Sequence, residues 1–334
     1  KVTDDLLRKK MKVPSSTGLS TVAWYNSGKI QNKGWEFNID IAAVKTKDWS
    51  FNFGFNISQN KNEILELPEN KNDELYTFGN KNYAYSVMMG DPLGSFYGYR
   101  YKGVYQNVEE TYAVNTSGQR ILDIDGNPVV MKNGDQKVYP GDARYEDVNG
   151  DGVIDENDIV YLGNSNPTLT GGLNFTLRYK KVSLVAAFHG RAGQKVINQA
   201  RMDMENMRGK NNQSVAVLRR WRSEGDDTDI PRALYDKGYN YLGSDRFVED
   251  ASFLRLKTVT LKYQMPAKWM KAIGVNKLEL YATGYDMFVW TKYKGQDPEV
   301  NLKAANDGTV AQVAIDSNNT PKPFKIAFGL NLNF

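Results

Sequence analysis

A strict alternation of apolar and polar residues recurs along this chain and limits its fold more than any other feature. The first such stretch, residues 35–41, separates two sets of side chains: Trp35, Phe37, Ile39 and Ile41 on one side, and Glu36, Asn38 and Asp40 on the other. Successive side chains of a β-strand point to opposite faces of the sheet, whereas a helix repeats every 3.6 residues. The alternation therefore predicts strands with one apolar and one polar face.

The same pattern returns in six later stretches: residues 49–58, 173–179, 182–188, 253–264, 277–290 and 324–334. With residues 35–41 they predict seven antiparallel strands, and an eighth, mostly missing, is expected to end near Leu6 to Met11. Strands of roughly ten residues with an apolar outer and a polar inner face are typical of a transmembrane β-barrel. A soluble β-sandwich has a similar alternation but hides its apolar faces between two sheets. The pattern alone leaves both folds open.

The lengths of the connections favour the barrel. Short connections, at residues 45–48, 180–181 and 266–276, alternate with long ones, at residues 60–167, 191–251 and 293–321. Outer-membrane barrels have short periplasmic turns and long extracellular loops. We therefore expect the three long connections to be extracellular loops, the second of them with short helices. Because an open sheet in lipid leaves unpaired backbone groups along its edges, further strands must come from elsewhere.

Composition and charge exclude several other classes of protein. The formal net charge of +4 is small for 334 residues, and no Lys- and Arg-rich stripe forms, so we expect no nucleic-acid partner. The absence of cysteine excludes a disulfide scaffold and a thiolate metal site. The charged stretch from Lys1 to Lys10 is not a signal peptide, and no apolar run of about 18 residues predicts a membrane helix. A membrane location must therefore rest on strands.

Several motifs, in order, resemble one known family. They are VPSSTG at 13–18, NKGWEFNI at 32–39, FYGYRYKGVYQ at 96–106, GDARYEDVNGDGVIDENDIVYLG at 141–163, NSNPTLTGGLNF at 164–175, FLRLKTVTLKYQMP at 253–266, YATGYDMFVWTKYKGQDPEV at 281–300 and the closing FGLNLNF. Together they cover nearly the whole chain. In this respect the sequence resembles the C-terminal region of the SusC/RagA-like family of TonB-linked outer-membrane transporters.

The resemblance implies an all-β fold, in which residues 1–334 form the C-terminal portion, about seven or eight antiparallel strands, of a 22-stranded transmembrane β-barrel. It also implies a location in the bacterial outer membrane, in contact with lipid, and no enzymatic activity. The expected partners are the remaining N-terminal barrel and plug, a SusD-like surface lipoprotein, and TonB, which would act through the plug. The expected cargo is a glycan or a peptide, and individual substrate contacts stay unassigned. The resemblance further implies that Phe334 serves barrel assembly.

One motif inside the first long connection predicts a metal site. Residues 147–158 follow an EF-hand-like pattern whose expected ligands are Asp147, Asn149, Asp151, the backbone carbonyl of Val153, Asp155 and Asp158. Acidic side chains at alternate positions of a tight loop can converge on a hard cation, and Gly152 permits the sharp turn. We expect structural calcium that braces loop 60–167. The alternative is an acidic, turn-rich loop that binds nothing.

Other candidate residues have simpler interpretations. His189 is the only histidine, so a zinc site or a catalytic triad is not expected. Asp226, Asp227 and Asp229 could suggest glycoside hydrolysis but fit a solvated loop. Aromatic residues in the long connections could stack on a ligand or pack within the loops. The main alternative function is a soluble, secreted, calcium-stabilised β-sandwich that binds carbohydrate, followed by a passive porin and then an enzyme.

Overall fold

The computed structural model describes residues 1–4, 8–12, 16, 18, 22–26, 28–67, 76–77, 83–85, 88–235, 238–272, 274–304, 312–318 and 320–333. Its main element is a sheet of eight strands that follow one another in chain order. They are β1 (Val2–Asp4), β2 (Lys29–Lys45), β3 (Trp49–Glu66), β4 (Leu169–Tyr179), β5 (Val182–Ala192), β6 (Phe253–Gln264), β7 (Lys277–Thr291) and β8 (Lys325–Asn333). Every neighbouring pair is antiparallel, as the sequence predicts.

Two strand ends differ from the prediction. The N-terminal sheet strand is Val2–Asp4, whereas Arg8–Lys12 pairs with Val22–Asn26 in a separate ribbon. The predicted eighth strand is therefore present, but among the described residues it ends at Asp4 and not near Met11. Leu6 lies outside the described residues. The basic run RKKMK lacks the alternation that fixes a strand's register against the sheet.

Strand β3 is longer than predicted. It continues through Glu66, because residues 60–66 pair with the first residues of β2 from Lys29 onwards. Their side chains are mostly polar, so the alternation that marks a strand fades although the backbone ladder continues. The first long connection therefore begins at residue 67 and not at residue 60. Short turns still alternate with long connections along the whole sheet, as the sequence predicts.

The two faces of the sheet differ in chemistry and in exposure. Trp35, Phe37, Leu261 and Phe328 lie on the apolar face and are 50 to 82% exposed. The same face carries other exposed apolar residues: Ile41, Trp49, Leu254, Leu280, Trp290, Ile326, Leu330 and Leu332. No second sheet covers this face within the described part of the chain. A soluble sandwich buries such a face, so the exposed apolar surface fits contact with lipid.

The buried cores lie in the long connections. One core contains Tyr83, Phe96, Ile197, Met202, Phe247, Val313 and Ile315. A second contains Tyr99, Tyr105, Ala113, Met131, Val138, Ala143, Tyr145, Ile154 and Leu242. Because each core joins residues of at least two long connections, these segments fold together as one assembly at one end of the sheet.

Small elements build this loop assembly and the turns. The short strands are Tyr76–Thr77, Ala84–Tyr85, Ser95–Gly98, Tyr101–Val104, Lys132–Asn133, Gln136–Lys137, Ala143–Tyr145, Val153–Ile154, Val160–Asn164, Lys195–Ile197, Val248–Asp250, Leu302–Ala304 and Gln312–Ala314. The helices are α1 (Gln199–Glu205), α2 (Ala267–Ala272) and the 3-10 turns Glu109–Thr111, Glu156–Asp158, Val215–Arg219 and Asp245–Phe247. Among the described residues, every helix is too short or too polar to span a membrane.

Candidate functional sites

The predicted metal loop folds around the side chain of Asp147. The backbone N–H groups of Gly150 and Asp151 donate to its Oδ1 at 2.8 and 3.3 Å, and Gly152 donates to its Oδ2 at 2.8 Å. Gly152 has a φ of +84°, and a Cβ there would lie 2.9 Å from the Cβ of Ala113, so only glycine fits this turn. The sequence pattern therefore predicts the local backbone correctly.

The second half of the loop is closed by Asp155 and Asp158. Asp155 caps the turn Glu156–Asp158 and accepts from the N–H of Asn157 at 2.8 Å. In return, the N–H of Asp155 donates to Asp158 Oδ2 at 2.9 Å, while Val148 N–H donates to Asp158 Oδ1 at 2.7 Å. This reciprocal capping box joins the two ends of the loop through one carboxylate.

Asp158 is fully buried, with 0% of its surface exposed. Burial raises its pKa, and the charge of Asp147 acts in the same direction, against the backbone N–H groups that favour the ionised form. A buried carboxylate beside another acid gains most from a nearby cation. The loop therefore holds its acidic groups in a form that a divalent cation would stabilise.

The expected metal ligands share one loop but do not yet converge. Among the described residues, no group of three or more Asp, Glu, His or Cys side chains is arranged to hold a metal ion. The reason is visible in the hydrogen bonds, because the carboxylates of Asp147, Asp155 and Asp158 turn toward backbone N–H groups. The donor set itself, carboxylate, amide and carbonyl oxygens around a glycine turn, fits calcium chemically. Coordination would require these side chains to rotate.

The predicted metal loop, residues 147–158, also contacts the rest of the first long connection. Val153–Ile154 pairs with Lys132–Asn133, and Ile154 is buried in the second loop core. Tyr99 packs in the same core, and burial, followed by the charges of Asp158, Asp155 and Glu156, raises its pKa to about 12. A change in the metal loop would therefore be transmitted to the core of the first long connection.

The polar face of the sheet carries amides, hydroxyls and a cluster of ion pairs. On β6, Arg255 is 3% exposed at its side chain and pairs with Asp297 at 2.6 Å and with Glu299 at 3.1 Å. Glu299 also contacts Lys257 at 3.4 Å and Lys322 at 2.6 Å. This Arg255–Glu299 cluster fastens the connection between β7 and β8 to the polar face.

The sequence pattern does not predict this cluster. Its partners lie far apart along the chain, and Asp297 and Glu299 appeared only within a motif used for the family resemblance. Burial works to raise the pKa of Glu299, but Lys322, Lys257 and Arg255 outweigh it and lower the pKa below its ordinary value. The only local signal was a basic residue, Arg255, on the polar face of β6.

A second missed cluster joins two long connections. Arg232 donates through Nε to Asp142 Oδ1 at 2.7 Å and through Nη2 to Asp142 Oδ2 at 3.1 Å. The amide of Asn240 donates to the same carboxylate at 3.3 Å. Nearby, Gly141 lies against the ring of Trp221, where a Cβ would come within 2.2 Å of the indole. Trp221 is therefore a packing residue of the loop assembly.

The other sequence candidates take structural positions. The ring of His189 on β5 lies 5.9 Å from that of Phe253, edge to face. Asp226 accepts from the N–H groups of Arg222 and Ser223 in an exposed turn. Phe96, Tyr97, Tyr99 and Tyr105 are all buried, so these aromatic residues pack within the loops and do not present their faces to a ligand. Phe334, expected to serve barrel assembly, lies outside the described residues.

The sheet and its loops together define a class of protein. The sheet has an uncovered apolar face, an opposite polar face and long connections at one end. These are the features of part of a membrane β-barrel, because a soluble sheet would bury its apolar face. Aromatic residues lie at both ends of the strands on the apolar face. Near the short turns, the ring centroids of Trp49 and Tyr179 are 4.3 Å apart. Phe288 and Trp290 lie near the long connections.

Comparison with known proteins identifies the family. No family model matches the chain. The chain is 33% identical to TonB-dependent receptor P26 of Formosa agariphila, over 100% of this chain and 32% of that protein. It is 27% identical to TonB-dependent receptor SusC of Bacteroides thetaiotaomicron, over 99% of this chain and 29% of that protein. The chain therefore spans about a third of the length of these relatives.

Solved structures agree with this result at the level of the fold. The structure of the RagAB peptide transporter matches with a TM-score of 0.70 and 23% identity, over 99% of this chain and 32% of that chain. The RagAB peptide importer in its closed-closed state matches with a TM-score of 0.67 and 23% identity, over 97% of this chain and 31% of that chain. The chain thus belongs to the SusC/RagA-like family of TonB-dependent receptors and forms part of their barrel. The prediction of the family and of a partial barrel is confirmed, and the soluble β-sandwich is wrong.

Proposed function

We propose that this chain is part of a TonB-dependent outer-membrane transporter that imports nutrient oligomers, either glycans or peptides, together with a SusD-like surface lipoprotein. One observation carries the proposal: the chain matches TonB-dependent receptors along its whole length and presents one membrane-type apolar face and one polar face. A passive pore needs no large folded loops, whereas here the long connections share two buried cores. This structure supports gated transport.

The sheet requires partners to complete the barrel. Strands β1 and β8 are its two edges, and each leaves one row of backbone groups without a neighbour among the described strands. Unpaired backbone groups in lipid cost several kcal/mol each. The remaining N-terminal barrel would pair with both edges and enclose the plug, through which TonB would act. The long connections would then face the outside and meet the lipoprotein lid.

The proposed cargo is either a glycan or a peptide. The RagAB structures are of a peptide importer, but a sequence identity of 23% to this chain supports only the same fold. The polar face contains neutral amides and hydroxyls as well as the Arg255–Glu299 cluster, and both cargo classes form hydrogen bonds with such groups.

We also propose that the metal loop binds structural calcium. Asp147, Asn149, Asp151, Asp155 and Asp158 would supply side-chain oxygens and Val153 a backbone carbonyl. The support is the spacing of these residues, the glycine turn at Gly152 and the burial of Asp158. Calcium bound there would brace the first long connection, because Ile154 belongs to a loop core.

A whole-cell uptake assay tests the transport proposal. The complete transporter gene would be deleted and restored, and labelled oligosaccharides and labelled peptides would be supplied separately to cells with and without TonB. We expect uptake of one cargo class that requires both the transporter and TonB. Uptake that persists without TonB would favour a passive pore, and no loss of uptake on deletion would contradict the proposal.

A further inference from the structure

A cavity of about 470 Å³ lies where the polar face of the sheet meets the loop assembly. Its polar lining consists of Asn32, Ser58, Asn60, Asn62, Asn166 and Thr170. Leu93, Pro167 and Leu302 contribute apolar surface. Pockets for small ligands occupy roughly 300–1,000 Å³, so the cavity is large enough for a segment of an oligomer. The first long connection and the connection between β7 and β8 both contribute to its wall.

The amides of the cavity are partly used in internal hydrogen bonds. Asn60 and Asn62 donate to Asn32 Oδ1 at 3.2 and 2.9 Å, and Leu93 N–H donates to Asn62 Oδ1 at 2.8 Å. Asn166 donates to the carbonyl of Leu93 at 2.5 Å. These bonds fix the positions of the side chains. An amide carries two donor hydrogens and one acceptor oxygen, so Asn32 keeps its N–H₂ group, and Asn60 and Asn166 keep their oxygens, for a ligand.

Hydroxyls add further capacity for hydrogen bonding. Ser58 Oγ and Thr170 Oγ1 lie 2.7 Å apart across the β3–β4 pair, and either can be the donor. Such a pair can rotate to donate or to accept as a ligand requires. A sugar hydroxyl likewise donates and accepts at once, so a row of amides and hydroxyls is complementary to a row of sugar hydroxyls. Leu93, Pro167 and Leu302 offer contacts for the apolar faces of sugar rings.

Among the described residues, the cavity lining carries no ionisable side chain. On β2 and β3, Lys33, Lys61 and Glu63 belong to the opposite face. Glu36 and Asp40 share the polar face, and Glu36 pairs with Ser58, but neither side chain lines the cavity. Lys61 and Glu63 pair with each other there, at 3.4 Å. A peptide terminus or charged side chain in this cavity would lose water without gaining a counter-charge from the described residues that line it, which is costly. An uncharged sugar meets no such penalty.

We propose that this amide-lined cavity is a subsite for an uncharged, hydroxyl-rich saccharide. The inference rests on the proposed transport function and adds the class of cargo and the place where it binds. Because the cavity lies between the sheet's polar face and the long connections, a saccharide bound there occupies the entrance to the barrel interior. Asn32, Asn60 and Asn166 then determine the specificity for neutral cargo.

The test uses the complete transporter purified in detergent and one nearly isosteric substitution, Asn32→Asp. A carboxylate at this position still accepts from Asn60 and Asn62, so the internal bonds remain, but the free N–H₂ donor is replaced by a negative charge. The matched control is Asn52→Asp, which makes the same change on the same sheet face outside the cavity. Thermal unfolding of each variant checks that the fold is retained.

The probes are a pool of uncharged oligosaccharides from glucans, mannans and galactans, and a pool of short peptides. Native mass spectrometry identifies what binds, and titration of the bound compound gives its Kd. We expect a neutral oligosaccharide to bind, with an affinity that falls about tenfold or more in Asn32→Asp but not in Asn52→Asp, because a donor is lost and a charge is buried.

Several outcomes would overturn the subsite. Capture of peptides alone would assign the cavity to peptide cargo, and an unchanged saccharide Kd in Asn32→Asp would place saccharide binding elsewhere. In either case TonB-dependent uptake by the wild type would leave the transport proposal intact. If the wild type imports neither pool in cells, the transport proposal itself fails. The two proposals can therefore fail separately.

Discussion

At the scale of single residues, Asp158 shows how a local sequence pattern becomes a structural constraint. Its carboxylate accepts from Val148 and Asp155, and it has no exposed surface. The spacing of the acidic residues in the motif was sufficient to locate this residue. What the spacing did not reveal is that backbone N–H groups already satisfy this carboxylate. Asp158 therefore joins the two ends of the loop through these hydrogen bonds.

We predict that Asp158→Asn weakens both the loop and its affinity for calcium. An amide retains one acceptor but presents N–H₂ to a backbone N–H, which leaves a buried donor unsatisfied at a cost of about 1–3 kcal/mol. Calcium titration by calorimetry and limited proteolysis of residues 88–168, with and without chelator, measure the two effects. Asp125→Asn, in a nearby exposed turn, is the control. Proteolysis that is insensitive to calcium in the wild type would contradict the metal proposal.

Glu299 predicts a dependence on pH. Its pKa is lowered in the folded protein, so its ion pairs contribute stability above the ordinary carboxyl pKa, and this contribution is lost as the pH falls through the lowered value. We expect the connection between β7 and β8 to exchange backbone hydrogens faster under acidic conditions. Hydrogen exchange of a peptide containing residues 295–301 measures this, with Glu299→Gln for comparison. An equally steep pH response in Glu299→Gln would exclude this carboxylate as the cause.

At the scale of elements, the alternation of apolar and polar residues predicted most strands. The features that it did not predict depend on pairing or contacts between residues that are far apart in the chain. The stretches that alternate became β2 to β8, because an apolar face fixes register wherever it must avoid water. Residues 60–66 were missed since their mostly polar side chains give no such signal, although they pair with β2. The Arg255–Glu299 cluster was missed because its members meet only after the sheet and the last long connection have folded.

The aromatic residues of the loops illustrate a different limit. Phe96 and Tyr105 are aromatic residues of the kind that often contact ligands. The sequence around them does not distinguish stacking on a sugar from packing in a core. Their burial, at 0% and 2% exposure, decides for packing. The amide-lined cavity was equally invisible, because Asn32 and Asn166 come together only through the pairing of β2, β3 and β4.

Two adjacent alanines on β5 test the assignment of the two faces. Ala186 belongs to the apolar face and is paired with Phe175 and Val259, whereas Ala187 is paired with Asn174 and Thr258 on the polar face. We expect Ala186→Arg to destabilise the barrel by about 2–4 kcal/mol, the cost of arginine near the middle of the bilayer. Ala187→Arg should be tolerated, since its side chain enters the polar interior. Denaturant titration of the transporter in lipid vesicles measures both, and equal costs would contradict the assignment.

At the scale of the whole molecule, the described sheet is one part of a larger closed structure. Its apolar surface is stable only in lipid, its edges require further strands, and its loops form a joint assembly at one end. Each of these properties is incomplete within this chain and requires further barrel strands, and the relatives of this chain are about three times as long as it is. The account therefore depends on one claim: the apolar face contacts the membrane and the polar face contacts the interior.

Single-cysteine labelling tests that claim most directly, because this chain contains no cysteine of its own. Cysteines would be placed one at a time along residues 277–291 in the complete transporter in membranes. The account predicts a period of two: apolar-face positions should resist a water-soluble maleimide, and fluorophores there should be quenched from the lipid phase, while polar-face positions show the reverse. Uniform labelling at successive positions, or polar-face positions that are quenched from lipid, would contradict it.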